Sequence, residues 1–467
     1  MFVIVGWILK PPAALTEAAQ TAALNKGKEL TGQEGMYAMR ILGITLLAIV
    51  WWVGNVFTDW LTTLAMLLLW VLFGSVPFAT AFGAYSSTST WLIVGAFCLA
   101  AAIGKTGFFT RISWLLLQIF PPTFTGQVIA FLVVGAICSP LIPSATAKAV
   151  LGVTISLGVA TAMGYEPEST GRYGLYTAAW FGFGASAPAF VSGSVFGYTL
   201  QGVLPDDLKP TWTSWFVAMI PWLIILLIGA FLLIRLLYNP GDSKVLSKEY
   251  VKEQYAALGK LQGKELISAV ILFGAVLMWI LEAQIGVNSA VTSMIAAFLC
   301  FATGILDLKK DITTAPGWGT FIFLGGVLSL ATVFGSVGVD IWLQSLLSPI
   351  FSRLTNPFAA ITVIMALTIA IRLVLVSQST TIILMVTLLS PMAASLGLAP
   401  FIIGLIVYAT ETSWFVPYQN SVYVAAIAST KETVSFGKTV KSCVGYEVIC
   451  LVAFCVSVLY WKLLGYI

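Results

Sequence analysis

The sequence predicts an all-α polytopic membrane protein built of two similar halves, each carrying a re-entrant helical hairpin and a broken helix. Three observations point there. Of the 467 residues, 59% are hydrophobic and only 9% charged, whereas a soluble domain carries about 25% charged residues. So few charges cannot cover a surface that faces water. The apolar runs are long enough for helices, since a span needs roughly 20 residues, and the alternating ~10-residue segments of a membrane barrel are absent. Finally, one order of interrupted apolar segments occurs twice along the chain.

Taken in order, "MFVIVGWIL" at the N-terminus lacks a basic flank and reads as a short first membrane segment, not as a cleaved signal. Apolar segments then run from about residue 38 to residue 238. The one clearly polar stretch, 238–264, holds five lysines, with Arg235 just before it. The positive-inside rule places it in the cytoplasm as a solvated linker. It divides a first repeat, 1–237, from a second, 265–467.

The halves share landmarks. "WLIVGAFCLAAAIGKTGFFTRISWLLLQIF" begins at Trp91 and "FIFLGGVLSLATVFGSVGVDIWLQSLLSPIF" at Phe321; Gly95 matches Gly325, and Gly107 matches Gly338. Each run has a glycine-polar break near its middle, which leaves half-runs too short to cross. Hairpins are therefore expected at about 90–118 and 318–350, followed by helices broken at Ser144 and Ser377. Paired interrupted helices in related halves mark a transporter site near the midplane.

The two breaks carry hydroxyls. In "PLIPSATAKAV" Pro143 ends one half-helix and Ser144 starts the next; in "LVLVSQSTTIIL" four polar residues from Ser377 to Thr380 interrupt an apolar run. Interrupted helices survive in a bilayer only where they are buried in protein or line a cavity. A helix that restarts there points unpaired N–H groups and partial positive charge inward, which suits an anion. Hydrogen bonding between helices is the alternative use of such hydroxyls. Two cations stand nearby. Lys148 lies one turn beyond Ser144, and Arg372 lies five residues before Ser377. A charge at the helix centre costs about 3 kcal/mol or more on insertion scales and points to function. Pairing with an acid such as Glu411 is the alternative for Arg372. Later breaks, "ASAPAFVSGSVFG" with Ser192 and Ser194 and "TETSWFVPYQNSVY" with Pro417 and Asn420, complete the candidate pocket, while Trp414 and Phe415 read as packing residues.

This layout resembles the divalent anion–sodium symporter family, also called the dicarboxylate transporter family. Its hallmark is a Ser-Asn-Thr triplet in each half, and the counterparts are Ser144-Ala145-Thr146 and Ser377-Gln378-Ser379. The flank "PSATAK" is similar to the bacterial citrate, tartrate and 2-oxoglutarate/malate exchangers. The resemblance implies an inverted-repeat fold, scaffold and transport domains, an elevator motion, a homodimer and carboxylate binding by both triplets. The triplet Asn that helps hold sodium in coupled members is replaced by Ala145 and Gln378. Sodium-independent exchange of dicarboxylates across a bacterial cell membrane is therefore expected, with Lys148 and Arg372 supplying positive charge. Sodium-coupled symport and an anion channel remain alternatives.

Other classes are disfavoured. The chain has no His, which removes the commonest general base and metal ligand. The six cysteines stand singly, with no metal spacing. No cofactor, metal or nucleic-acid partner is expected, and no nucleophile–base pair suggests an enzyme. A net charge of +4 is ordinary for a membrane protein.

Overall fold

The computed structural model describes residues 4–54, 56–241, 244–261, 263–351, 356–431 and 433–467. Among the described residues regular structure is helical, apart from one isolated bridge between Thr123 and Val245. Eight of these helices are long and apolar enough to cross a membrane. Lipid offers backbone groups no partner, so helices that satisfy their own N–H and C=O groups are what this sequence forms.

The first half comprises α1 (Ala13–Asn25), α2 (Glu34–Val53), α3 (Asp59–Phe73), α4 (Phe78–Ala81), α5 (Thr88–Thr106), α6 (Phe108–Leu117), α7 (Phe124–Cys138), α8 (Ala145–Ala162), α9 (Thr170–Ala179), α10 (Val195–Val203) and α11 (Trp212–Leu237). The linker contains α12 (Lys248–Ala257). The second half comprises α13 (Gly263–Ile280), α14 (Glu282–Ile285), α15 (Ser289–Ala302), α16 (Trp318–Val337), α17 (Val339–Phe351), α18 (Pro357–Arg372), α19 (Gln378–Leu389), α20 (Ala393–Leu396), α21 (Pro400–Glu411), α22 (Ser421–Ala428), α23 (Phe436–Thr439) and α24 (Lys441–Leu463).

Packing repeats along with helix order. α5 lies along α15, and α16 lies along α3. The arms α7 and α8 both rest on α9 and the π-turn Trp180–Ala185 that extends it, as α18 and α19 both rest on α21. α10 crosses to α19 and α22 crosses to α8, so each half reaches into the other. The matched glycines sit at matched contacts. A Cβ on Gly95 would lie 2.5 Å from the Ser293 carbonyl carbon, and one on Gly325 would lie 2.4 Å from the Tyr85 ring.

Hairpins are expected at 90–118 and 318–350; there α5 has 19 residues and α16 has 20, each long and apolar enough to cross a membrane. Each ends on a left-handed glycine, Gly107 at φ 73° and Gly338 at φ 74°, a conformation glycine adopts without a Cβ clash. The following helix then turns away, α6 toward α7 and α12, and α17 toward α1. A glycine-polar pair marked the break correctly, but it closes a full-length helix instead of halving a run. The paired arms are α7–α8 and α18–α19, so Ser144 and Ser377 stand at tips between arms. The broken helices come later, between α9 and α10 and between α21 and α22.

Two further expectations change. Residues 4–8 of the N-terminal segment form a five-residue π-turn against α2, too short to span. The linker is also more than a solvated tether. Ser247 caps α12, and the backbone N–H of Leu246 donates to Pro122 O at 2.7 Å. Buried Arg111 pairs with Glu265 at 2.5 Å and donates to the carbonyls of Leu258 and Gly259.

Candidate functional site

Both tips are built around serine caps. After α7, Pro140 and Pro143 prevent the helix from continuing, and Ser144 Oγ accepts from Ala147 N–H at 3.3 Å to open α8. In the second half the chain leaves α18 at Arg372. Ser377 Oγ then accepts from Thr380 N–H at 3.3 Å and from the Thr380 hydroxyl at 2.9 Å to open α19. Ser144 and Ser377 thus cap the helices whose N-termini face inward.

The cations hold the tips. Lys148 is fully buried, and its ammonium donates to Ser139 O at 3.2 Å, Ser139 Oγ at 2.6 Å and Gly193 O at 2.5 Å. Those three acceptors match its three donors. Arg372, also fully buried, donates through Nη1 to Leu375 O and Val376 O, both at 2.7 Å. Its Nε stands 4.0 Å from Glu411 Oε2. Each cation therefore satisfies tip carbonyls that an interrupted helix leaves free, in a place where water cannot. Lys148 and Arg372, expected to supply positive charge to a ligand, stand here with donors engaged at the tips.

The two tips and two later breaks meet around one small cavity. Its lining includes Ala145 and Gln378, the first residues of α8 and α19, with Ser194, Asn420, Trp180 and Tyr408. Ser194 and Asn420 cap α10 and α22 from matched positions. The hydroxyls of Ser194 and Tyr408 share a hydrogen bond at 2.5 Å. Asn420 Nδ2 donates to Thr412 O at 2.6 Å while its Oδ1 accepts from Tyr423 N–H at 2.9 Å. Gln378 Oε1 is buried with no hydrogen-bond partner among the described residues. The cavity measures about 10 Å³, room for about one water molecule. None of its lining side chains carries a charge. Its positive character comes from two helix N-termini and, one turn behind, from Lys148.

Of the residues proposed from sequence, Ala145, Ser194, Gln378 and Asn420 line this cavity. Thr146 and Pro417 are exposed, and Ser379 is buried outside the lining. Ser192 accepts from Trp212 Nε1 at 3.0 Å and donates to Pro140 O at 2.9 Å, outside the cavity lining. Trp414 packs as expected, with its ring 5.2 Å from that of Trp180 and 5.1 Å from that of Tyr423. Trp180 and Tyr408 escaped the sequence reading because each sits in an apolar helix with no local break to single it out.

The family model described as the sodium:sulfate symporter transmembrane region matches residues 33–467. The chain belongs to this family. Inner membrane protein YbhI of Escherichia coli is 28% identical over 333 residues, covering 68% of each chain. Dicarboxylate transporter 1, chloroplastic, of Arabidopsis thaliana is 27% identical, covering 58% of this chain and 50% of its own. The putative malate transporter YflS of Bacillus subtilis is 26% identical, covering 59% of both. The aligned region thus spans about half to two thirds of these relatives' lengths. Two solved structures share the fold at low identity. They are the YdaH transporter of Alcanivorax borkumensis (TM-score 0.55, 15% identity, 83% of this chain and 88% of that one) and MtrF of Neisseria gonorrhoeae (0.50, 14%, 84% and 83%). This is a multi-pass membrane protein of an anion-transporter family with bacterial relatives, and its family and relatives' names are those of transporters, not enzymes.

Proposed function

We propose that this chain exchanges dicarboxylates of the malate, succinate and 2-oxoglutarate class across a bacterial cell membrane without sodium. The observation that carries the reading is the convergence of two helix N-termini, one from each hairpin tip, on one cavity. A ligand with two carboxylates meets an N-terminus at each end. The backbone N–H groups there are donors already aimed at an anion, so little ordering is needed on binding. At about 10 Å³ the cavity is too small for a four-carbon dianion, so admission requires the tips to part.

Sodium independence rests on Ala145, which offers no side-chain oxygen to a cation. Exchange rests on Lys148. Its covalent charge travels with the tip, and among the described residues no acid pairs with it there. An unloaded carrier would take that charge through a low-dielectric passage at a cost of several kcal/mol, and each 1.4 kcal/mol slows crossing about tenfold. Glu411 balances Arg372, so the uncompensated charge is one and not two. In this reading the halves 1–237 and 265–467 are inverted repeats, the 238–264 linker is cytoplasmic, and the hairpins ride an elevator in a homodimer. Sodium-coupled symport is the second reading, favoured by the description of the matching family. Counterflow into proteoliposomes with a dicarboxylate panel, with and without sodium, separates them. We expect uptake that needs internal dicarboxylate and ignores sodium; sodium-driven uptake into empty vesicles would overturn the proposal.

A further inference from the structure

A second cavity, of about 270 Å³, lies where the linker folds against the first half. It is bounded by the end of α6, the turn into α7 and the first two turns of α12. The linker is pinned along one edge by the Leu246 N–H bond to Pro122 O at 2.7 Å and by the bridge between Val245 and Thr123. Its wall is apolar where Leu117, Leu246 and Val251 are buried and Phe120 is half-buried. The same stretch of chain carries Leu115, 49% exposed, and Ile119, 73% exposed, so the cavity adjoins a surface made for hydrocarbon.

Three polar side chains in this lining lack a full set of partners. Lys248 and Lys252 stand four residues apart, on one face of α12. Among the described residues neither ammonium has a hydrogen bond or an ion pair, and no acid lines the cavity. The acid between them, Glu249, accepts from the Ser247 hydroxyl at 2.8 Å at its own helix end. Gln127 is only 1% exposed. Its Nε2 donates to Pro121 O at 3.1 Å, while its Oε1 is buried with no hydrogen-bond partner among the described residues. The other polar lining residues are occupied locally, since Gln118 Nε2 donates to Trp114 O at 3.4 Å and Ser247 caps α12.

We propose that this cavity is a headgroup site for an anionic phospholipid whose headgroup carries hydroxyls, of the phosphatidylglycerol type. The phosphodiester lies between Lys248 and Lys252, and the acyl chains leave along Leu115 and Ile119. A basic pocket beside membrane helices suits an anionic headgroup. A phosphodiester only accepts hydrogen bonds, so the open acceptor on Gln127 calls for a hydroxyl donor on the same ligand. A free phosphate would meet the lysines and leave both the apolar wall and Gln127 unused. Bound there, the lipid ties the linker to the first turn of α7. The inference is independent of which anion the protein carries.

Native mass spectrometry of the detergent-purified full chain tests this, because it resolves individual bound lipids. Phosphatidylglycerol, phosphatidylmethanol (the same charge without headgroup hydroxyls) and phosphatidylcholine are titrated separately. Wild type should retain phosphatidylglycerol most tightly, phosphatidylmethanol less and phosphatidylcholine least; equal retention of phosphatidylglycerol and phosphatidylcholine would overturn the site with no variant required. Lys248→Gln with Lys252→Gln should weaken phosphatidylglycerol binding about tenfold or more. Lys309→Gln with Lys310→Gln removes the same charge from an exposed loop that Lys264 joins to the linker end, by donating to Gly304 O at 2.6 Å, and should leave binding unchanged. Equal losses in the two double variants would mean general attraction to basic surface and overturn the proposal. Gln127→Met should bind phosphatidylglycerol and phosphatidylmethanol alike; a preference kept at the wild-type ratio would overturn the role of Gln127. Soluble glycerol phosphate should not displace the lipid, and displacement by it would identify a free-phosphate site in place of a lipid site.

Discussion

Arg372→Gln tests the idea that the second tip is held by a buried cation. The substitution removes two short donations, to Leu375 O and Val376 O, and the partner of fully buried Glu411. Breaking a buried pair by deleting one member costs about 3–5 kcal/mol, and each lost hydrogen bond from a charged group about 1.5–3 kcal/mol. The terms overlap, and the 4.0 Å separation from Glu411 lies at the outer limit of an ion pair. We therefore expect about 4 kcal/mol for R372Q. Glu411→Gln should cost only about 2 kcal/mol, because the guanidinium keeps its two carbonyls. The double variant leaves no unpaired charge between these positions, so it should be more stable than the sum of the singles by about 2 kcal/mol. The free cysteines, five buried and one half-buried, supply the assay, since a thiol-reactive dye reports their exposure on heating. At roughly 2–4 °C per kcal/mol for domains of 150–250 residues, and less for a longer chain, R372Q should melt several degrees lower and the double variant should recover part of the loss. Strict additivity of the two singles would refute the claim that Glu411 and Arg372 sustain one another.

Ala145→Leu should lower exchange more than tenfold and also lower the melting temperature, because the added carbons overfill a cavity of about 10 Å³; wild-type exchange in that variant would place the substrate elsewhere. Ser144→Ala and Ser377→Ala each remove a helix cap, worth about 1 kcal/mol, so malate affinity should fall roughly fivefold for each. Losses beyond a hundredfold would mean that the hydroxyls touch substrate directly. Gly182→Ala should destabilise strongly, since its Cβ would lie 2.2 Å from Phe131 O, whereas Gly104→Ala, with nothing within 4 Å, should be neutral or stabilising in the same melting assay. Arg111→Gln should free the linker from its anchors at Leu258, Gly259 and Glu265, measured as faster tryptic cleavage between residues 244 and 264.

Membrane class, helical architecture and the chain breaks at Ser144 and Ser377 were legible in the sequence itself. Those features depend on local chemistry: apolar length decides whether a segment can enter lipid, and Pro143 or Ser144 alters the backbone where it stands. Ala145, Ser194, Gln378 and Asn420 could be named for the same reason, because each begins a helix after a visible break. Only the tertiary structure decided which interrupted runs fold back. A left-handed glycine such as Gly107 says that the chain turns, while the direction it takes depends on what packs beside it. The roles of the cations were likewise a matter of packing. Lys148 meets Gly193 across 45 residues, which neighbouring sequence does not show, and Glu411, nameable as a partner for Arg372, is brought within 4.0 Å of it only by packing. Trp180 and Tyr408 reach the cavity from uninterrupted apolar stretches, which hydropathy alone does not distinguish from helix faces turned toward lipid.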